Sequence, residues 1–98
     1  MDDFGFSAEL WRWPSQDAWH FVTVPADVSE AIRLSAGPPK SFGSVRVEVV
    51  VGGTRWRTSV FPDSGSGTYV LPMKRAVRLA EDLEAGDLVT VTLRLLTG

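Results

Sequence analysis

Two adjacent glycines between two runs of β-forming residues constrain this chain more than any other feature. Gly52-Gly53 separates residues 45–51 (VRVEVVV) from 54–61 (TRWRTSVF). A two-residue loop in which glycine supplies positive φ is the commonest hairpin connection. If Val51 lies opposite Thr54, then Val49 faces Trp56, Val47 faces Thr58 and Val45 faces Val60 on one side. Glu48 then meets Arg57, and Arg46 meets Ser59, on the other. Apolar and charged side chains separate, and a slip of one residue would invert both faces, so the register is specified.

Other segments repeat the two-residue period. Phe4, Phe6, Ala8 and Leu10 alternate with Gly5, Ser7, Glu9 and Trp11, which predicts a strand over 4–12. Residues 14–17 (PSQD) have turn chemistry, and 18–24 (AWHFVTV) read as a strand covered on both faces because apolar groups occupy both parities. A short strand at 68–71 and a last one in which Val89, Val91, Leu93 and Leu95 alternate with Thr90, Thr92 and Arg94 bring the number to six.

Two short helices interrupt the strands. The first is expected over 25–36: Asp27 and Glu30 resemble a capping box, Val28, Ala31, Ile32 and Ser35 share a face, and Gly37-Pro38-Pro39 stop it. Residues 37–43 (GPPKSFG) are then a loop. The second is expected over 72–83, opened by Pro72, with Met73, Ala76, Val77, Ala80 and Leu83 at helical spacing and Arg78 placed to pair with Asp82.

Strands outnumber helices and no βαβ rhythm appears, so the expected class is mainly β: a closed or partly open six-stranded barrel in one domain, 1–98, whose closure removes exposed edges. The 98 residues suit one core. No apolar run approaches the length of a membrane helix, and Met1-Asp2-Asp3 is acidic where an export signal is basic. The chain contains no cysteine, which removes thiol nucleophiles and thiolate ligands and fits a reducing compartment, here taken as the cytoplasm.

Segments 18–33 (AWHFVTVPADVSEAIR), 42–78 (FGSVRVEVVVGGTRWRTSVFPDSGSGTYVLPMKRAVR) and 83–95 (LEAGDLVTVTLRL) together resemble an uncharacterised bacterial family of small β-barrels known only as a domain of unknown function. Its members are sometimes found ahead of a bacteriocin-protection-associated domain. The resemblance covers nearly the whole chain and implies a six-stranded barrel without established chemistry. A weaker likeness joins 69–91 (YVLPMKRAVRLAEDLEAGDLVTV) to the half-barrels of AbrB and MazE type regulators. It implies that the turn at Gly86-Asp87 returns the chain beside the strand preceding the second helix. Shared architecture does not carry DNA binding with it.

The functional residues follow from exclusion as much as from pattern. One histidine, His20, and no cysteine leave no basis for a histidine or thiolate metal site, and no cofactor motif is present. His20, between Trp19 and Phe21, is either a structural residue or the general base of an enzyme whose partner group has no sequence signature. The tryptophans Trp11, Trp13, Trp19 and Trp56 are core material, except that Trp11 and Trp13 fall opposite Leu10 in parity and can form an aromatic surface.

Charge is uneven. Residues 31–80 hold eight basic and two acidic side chains, against one and six in 1–30, although the whole chain carries −2. Arg55, Arg57 and Ser59 share a parity, and Lys74, Arg75 and Arg78 ride the second helix; they serve either solubility and pairing or an anionic partner. Residues 62–69 lack the Gly-Lys-Ser/Thr ending of a phosphate loop and read as a flexible connection or a gate over a barrel mouth. The resulting expectation is a non-catalytic module binding a small molecule or peptide at a mouth or surface edged by Trp19, His20, Arg57, Ser59, Tyr69 and Lys74. Nucleic-acid binding through the basic stretch is the second reading, and His20 chemistry the third.

Overall fold

A computed structural model of the chain describes residues 3–14, 19–36 and 43–96. All but Pro14 of the turn expected at 14–17, and most of the 37–43 loop, Gly37 included, lie outside the described residues. Six strands appear: β1 (Asp3–Arg12), β2 (His20–Thr23), β3 (Val45–Val51), β4 (Thr54–Asp63), β5 (Thr68–Pro72) and β6 (Leu88–Leu95). They close, all antiparallel, in the order β1-β2-β5-β4-β3-β6. Two helices, α1 (Ala26–Ser35) and α2 (Arg75–Ala80), connect strands.

The glycine hairpin has the register its valines dictate, with Val51 paired to Thr54, Val49 to Trp56, Glu48 to Arg57 and Val45 to Val60. Gly52 alone of the two glycines takes positive φ, 56°, the pattern of a type II′ turn. A Cβ there would run into the Glu81 carboxylate, which accepts a hydrogen bond from Thr54 Oγ1 at 2.6 Å. The turn is thereby fastened to the end of α2.

Closure depends on two long strands that change partners. β1 pairs with β6 through residues 3–9 and with β2 through 10–12, while β4 pairs with β3 through 54–60 and with β5 through 61–63. The barrel therefore has two walls, a long one of β1-β6-β3-β4 and a short one of β1-β2-β5-β4. Their inward rows fill the interior: Leu10, Val22, Val47, Val49, Val60, Leu71, Val91 and Leu93 are fully buried and belong to one cluster. Burying each such side chain is worth roughly 1.5 to 3 kcal/mol against leaving it in water.

α1 contributes Ile32 to that core and places Ser29, also buried, between two strands. Ser29 Oγ donates to the Val24 carbonyl at 3.1 Å and accepts from the Tyr69 amide at 3.0 Å, so one hydroxyl satisfies both buried groups. The helix starts differently from expectation. Its N-cap is Pro25, with no side-chain cap, and Glu30 pairs with Arg33 at 3.3 Å instead of completing a capping box with Asp27. The inward face comprises Val28, Ser29 and Ile32, and Ser35 is exposed.

α2 is shorter than its apolar spacing predicts. Pro72 is the last residue of β5, and the Met73 amide donates to the His20 carbonyl, so the strand ladder runs into the segment before any helix forms. Only Arg75–Ala80 are helical, with Val77 buried and Ala76 and Ala80 exposed. Asp82 takes a left-handed φ of 54°, and the Leu83 amide returns to the Arg78 carbonyl, which stops the helix. Arg78 Nε donates to the Met73 carbonyl at 3.0 Å, a role different from the expected pairing with Asp82.

The turn at Gly86-Asp87 overturns the half-barrel expectation. The Gly86 amide donates to the Leu10 carbonyl and the Leu10 amide to the Asp87 carbonyl, so the turn lies against β1. β6 then pairs with β1 and β3, while β5, the strand before α2, pairs with β2 and β4. α2 is a crossover between strands that do not pair with each other.

Candidate functional site

The long wall presents a polar outer face. Ser7 and Thr90 share a hydrogen bond of 3.0 Å, Arg94 donates to Asp3 at 3.1 Å, and Glu48 lies 3.7 Å from Arg57 and 3.8 Å from Arg55. The Asp3 hydrogen bond, and secondarily its charge, raises the Arg94 pKa above the ordinary arginine value. These charges are mutually occupied.

The outer face of the short wall is aromatic. Trp11 on β1 pairs with Phe21 on β2, which pairs with Pro72 on β5, and Val70 on β5 pairs with Phe61 on β4. Because Leu10, Val22, Leu71 and Val60 point inward, this neighbouring row points outward. The Trp13 amide donates to the Trp19 carbonyl at 2.9 Å, extending the β1–β2 ladder and setting a second pair of indoles beyond the first.

Phe21 is the floor of this face. Its ring centroid is 5.1 Å from Trp11, 5.9 Å from Trp13 and 6.1 Å from Trp19, and only 6% of its surface is exposed although it points away from the interior. Trp11 Nε1 donates to Thr23 Oγ1 at 2.9 Å, which satisfies the indole and fixes its plane. Of the segment expected as a strand over 18–24, His20–Thr23 form β2, and cover on both faces holds at Phe21 and Val22, with tryptophans as the outer cover; Trp19 is 60% exposed and Ala18 lies outside the described residues.

Around this floor runs an open groove of about 820 Å³. Trp13, Trp19 and Phe61 form its rim and remain 41%, 60% and 42% exposed. The far side is basic: Lys74 precedes α2, Arg75 opens it and Arg78 lies one turn on, all against the groove, with His20 at the start of β2. Among the described residues neither Lys74 nor Arg75 forms an ion pair.

Asp63 is the one carboxylate on the groove wall among the described residues. It is engaged by its own turn, accepting from the Gly65 amide at 3.3 Å and Ser66 Oγ at 2.9 Å while its carbonyl accepts from Gly67. Residues 62–67 are accordingly no loose gate: Pro62 and Asp63 extend β4, and 64–67 form a four-residue turn closed by these bonds. Phosphate-loop chemistry has no place there.

Of the residues singled out from sequence, Trp19, His20 and Lys74 meet in the groove. Tyr69 does not. It points inward, is buried in the core and lies 5.7 Å under the Arg33 guanidinium. Arg57 and Ser59 share the outer face of β4 with Phe61, but further along, where Arg57 is beside Glu48. Phe21 and Phe61 were hidden in sequence, although parity held the signal: each follows or precedes an inward valine in a strand.

The inward rows of the six strands form one buried apolar cluster, and the groove lies outside it, on the outer face of the short wall. A groove of this volume falls within the ~300 to 1,000 Å³ typical of small-molecule sites. Among the described residues no three histidine or carboxylate side chains gather as metal ligands would. No helix of the described residues is long and apolar enough to cross a membrane. Residues 6–93 match the model of a family described as a domain of unknown function, DUF1905. No curated protein matches the chain.

Proposed function

The chain belongs to the DUF1905 family, and we propose that it is a non-catalytic binding module whose outer groove receives the flat apolar part of a small organic molecule. One observation carries the reading. Three large aromatic side chains, Trp13, Trp19 and Phe61, stand around a buried aromatic floor with roughly half their surface in water. Covering Phe21 accounts for Trp11; it does not account for a rim that extends past the floor and encloses about 820 Å³. Exposed apolar surface gathered in one concave place favours a ligand, whereas scattered exposed residues need no explanation.

The cysteine-free sequence supports work in a reducing compartment, and we assign the module to the cytoplasm. The test uses phenylnaphthylamine, a neutral aromatic probe that fluoresces when it leaves water. Saturable binding with a change in tryptophan emission, reduced at least about tenfold in Trp19→Ala and Phe61→Ala, is expected for loss of aromatic contacts worth ~1.4 kcal/mol. No binding by the native protein, or equal binding by all three, overturns the reading.

A further inference from the structure

The groove has chemically distinct sides. Aromatic and apolar groups from β1, β2, β4 and β5 form the floor and one rim, and cations gather on the side where the chain passes from β5 into α2. Among the described residues the lining holds three cations and one carboxylate, in a chain whose total charge is −2. Local sign therefore opposes global sign, and the carboxylate is already occupied by the Gly65 amide and the Ser66 hydroxyl. Elsewhere Arg33 is matched with Glu30, Arg55 and Arg57 with Glu48, and Arg94 with Asp3, while Arg46 on β3, away from the groove, has no ion pair among the described residues. Lys74 and Arg75 are not so matched among the described residues.

We infer that the ligand is an aromatic anion, with its ring on the Trp13–Trp19–Phe21 side and its carboxylate, sulfonate or phosphate held by Lys74 and Arg75. The inference rests on the groove reading above and adds the charge that reading leaves open. Arg78 has a positioning role: donating Nε to the Met73 carbonyl ties the last turn of α2 to the residue that follows β5 and so fixes where the other two cations, which lie between them, stand. A planar guanidinium suits a two-oxygen anion, and an ammonium beside it adds a mobile point charge.

A matched pair of probes separates this inference from its premise. Anilinonaphthalene sulfonate carries the aromatic skeleton of phenylnaphthylamine plus one anionic group. The sulfonate should bind the native protein at least about tenfold more tightly than the neutral probe, as a charge-assisted hydrogen bond of ~1.5 kcal/mol or more implies. Lys74→Gln combined with Arg75→Gln should abolish that difference, the neutral probe's affinity for the same variant being the reference against which it is read.

Equal affinity for the two probes, or a sulfonate preference that survives the double substitution, overturns the inference and leaves the groove reading standing. Failure of both probes to bind overturns the groove reading itself. The salt response adds a third arm. Displacement of the sulfonate by a short oligothymidylate, with a steep loss of oligonucleotide affinity in salt, would identify a single-stranded nucleic acid as the occupant and contradict the small-molecule assignment. The sulfonate alone should lose affinity only weakly with salt, as expected for one anionic group meeting two cations.

Discussion

The two walls of the barrel share β1 and β4 yet treat their outer faces in opposite ways. Along β3 and β6 burial alternates with every residue, and the outer face is a polar ladder of Ser7, Thr90, Arg94, Asp3 and Glu48 with its arginines. Along β2, Phe21 and Val22 are adjacent and both buried, one inside the barrel and one beneath three indoles. A strand needs a dry face only toward the core. Where a second dry face is built, and its rim is left partly in water, the surplus apolar surface is what distinguishes a binding wall from a supporting one.

The contrast is easiest to break at its floor. Phe21→Ala should destabilise the fold by about 3 to 5 kcal/mol, the range for removing a buried aromatic ring, read as a shift in the urea midpoint. A loss near zero would mean that the aromatic face is only surface. Next comes Ser29→Ala, which leaves the Tyr69 amide and the Val24 carbonyl without their shared partner. About 1 to 3 kcal/mol should disappear, with faster amide exchange at Tyr69. Unchanged exchange there would show that the short wall does not need its helix.

Smaller effects sharpen the same contrast. Trp19→Ala, at a rim position 60% exposed, should cost about 1 kcal/mol or less in stability while weakening probe binding at least about tenfold. A large stability loss would make Trp19 part of the floor. On the long wall, Glu48→Gln breaks two ion pairs whose arginines are mostly exposed. It should change stability by no more than ~0.5 kcal/mol and, with charges screened at high salt, by less still. Probe affinity should not respond to it at all.

What could be read from sequence follows the same division. The β3–β4 register was legible because a two-residue glycine turn leaves one pairing and the valines agree with it. Six strands were legible because alternation is local; closure was expected only as one of two outcomes, a closed or a partly open barrel, and the structure has the closed one. The paths of α1 and α2 were less so. Met73, Ala76, Val77 and Ala80 have helical spacing, but a backbone bond from Met73 to His20, distant in sequence, holds the start of that segment as strand. Asp27 and Glu30 have capping-box spacing, but Pro25 occupies the N-cap because β2 must end with Val24 bonded to Tyr69.

The lining of the candidate groove was legible in part. Trp19, His20 and Lys74 stood out in sequence because aromatic and basic residues are conspicuous. Tyr69 was misplaced because only the β4–β5 register, set by the four-residue turn, decides that it faces inward and Val70 outward. Arg57 and Ser59 share parity with Phe61, and parity alone cannot say that the groove begins where β4 exchanges β3 for β5. Partner exchange is a property of the closed sheet, beyond the reach of any single strand.

Location of the ligand decides between an outer groove and a barrel interior, and it can be observed directly. Titration of isotope-labelled protein with phenylnaphthylamine, followed by indole and methyl resonances, should shift the Trp13 and Trp19 indole signals and the Val70 methyls. The methyls of Val47, Val49 and Leu93 should stay fixed. Movement of those interior methyls, with the rim indoles unaffected, would contradict the account.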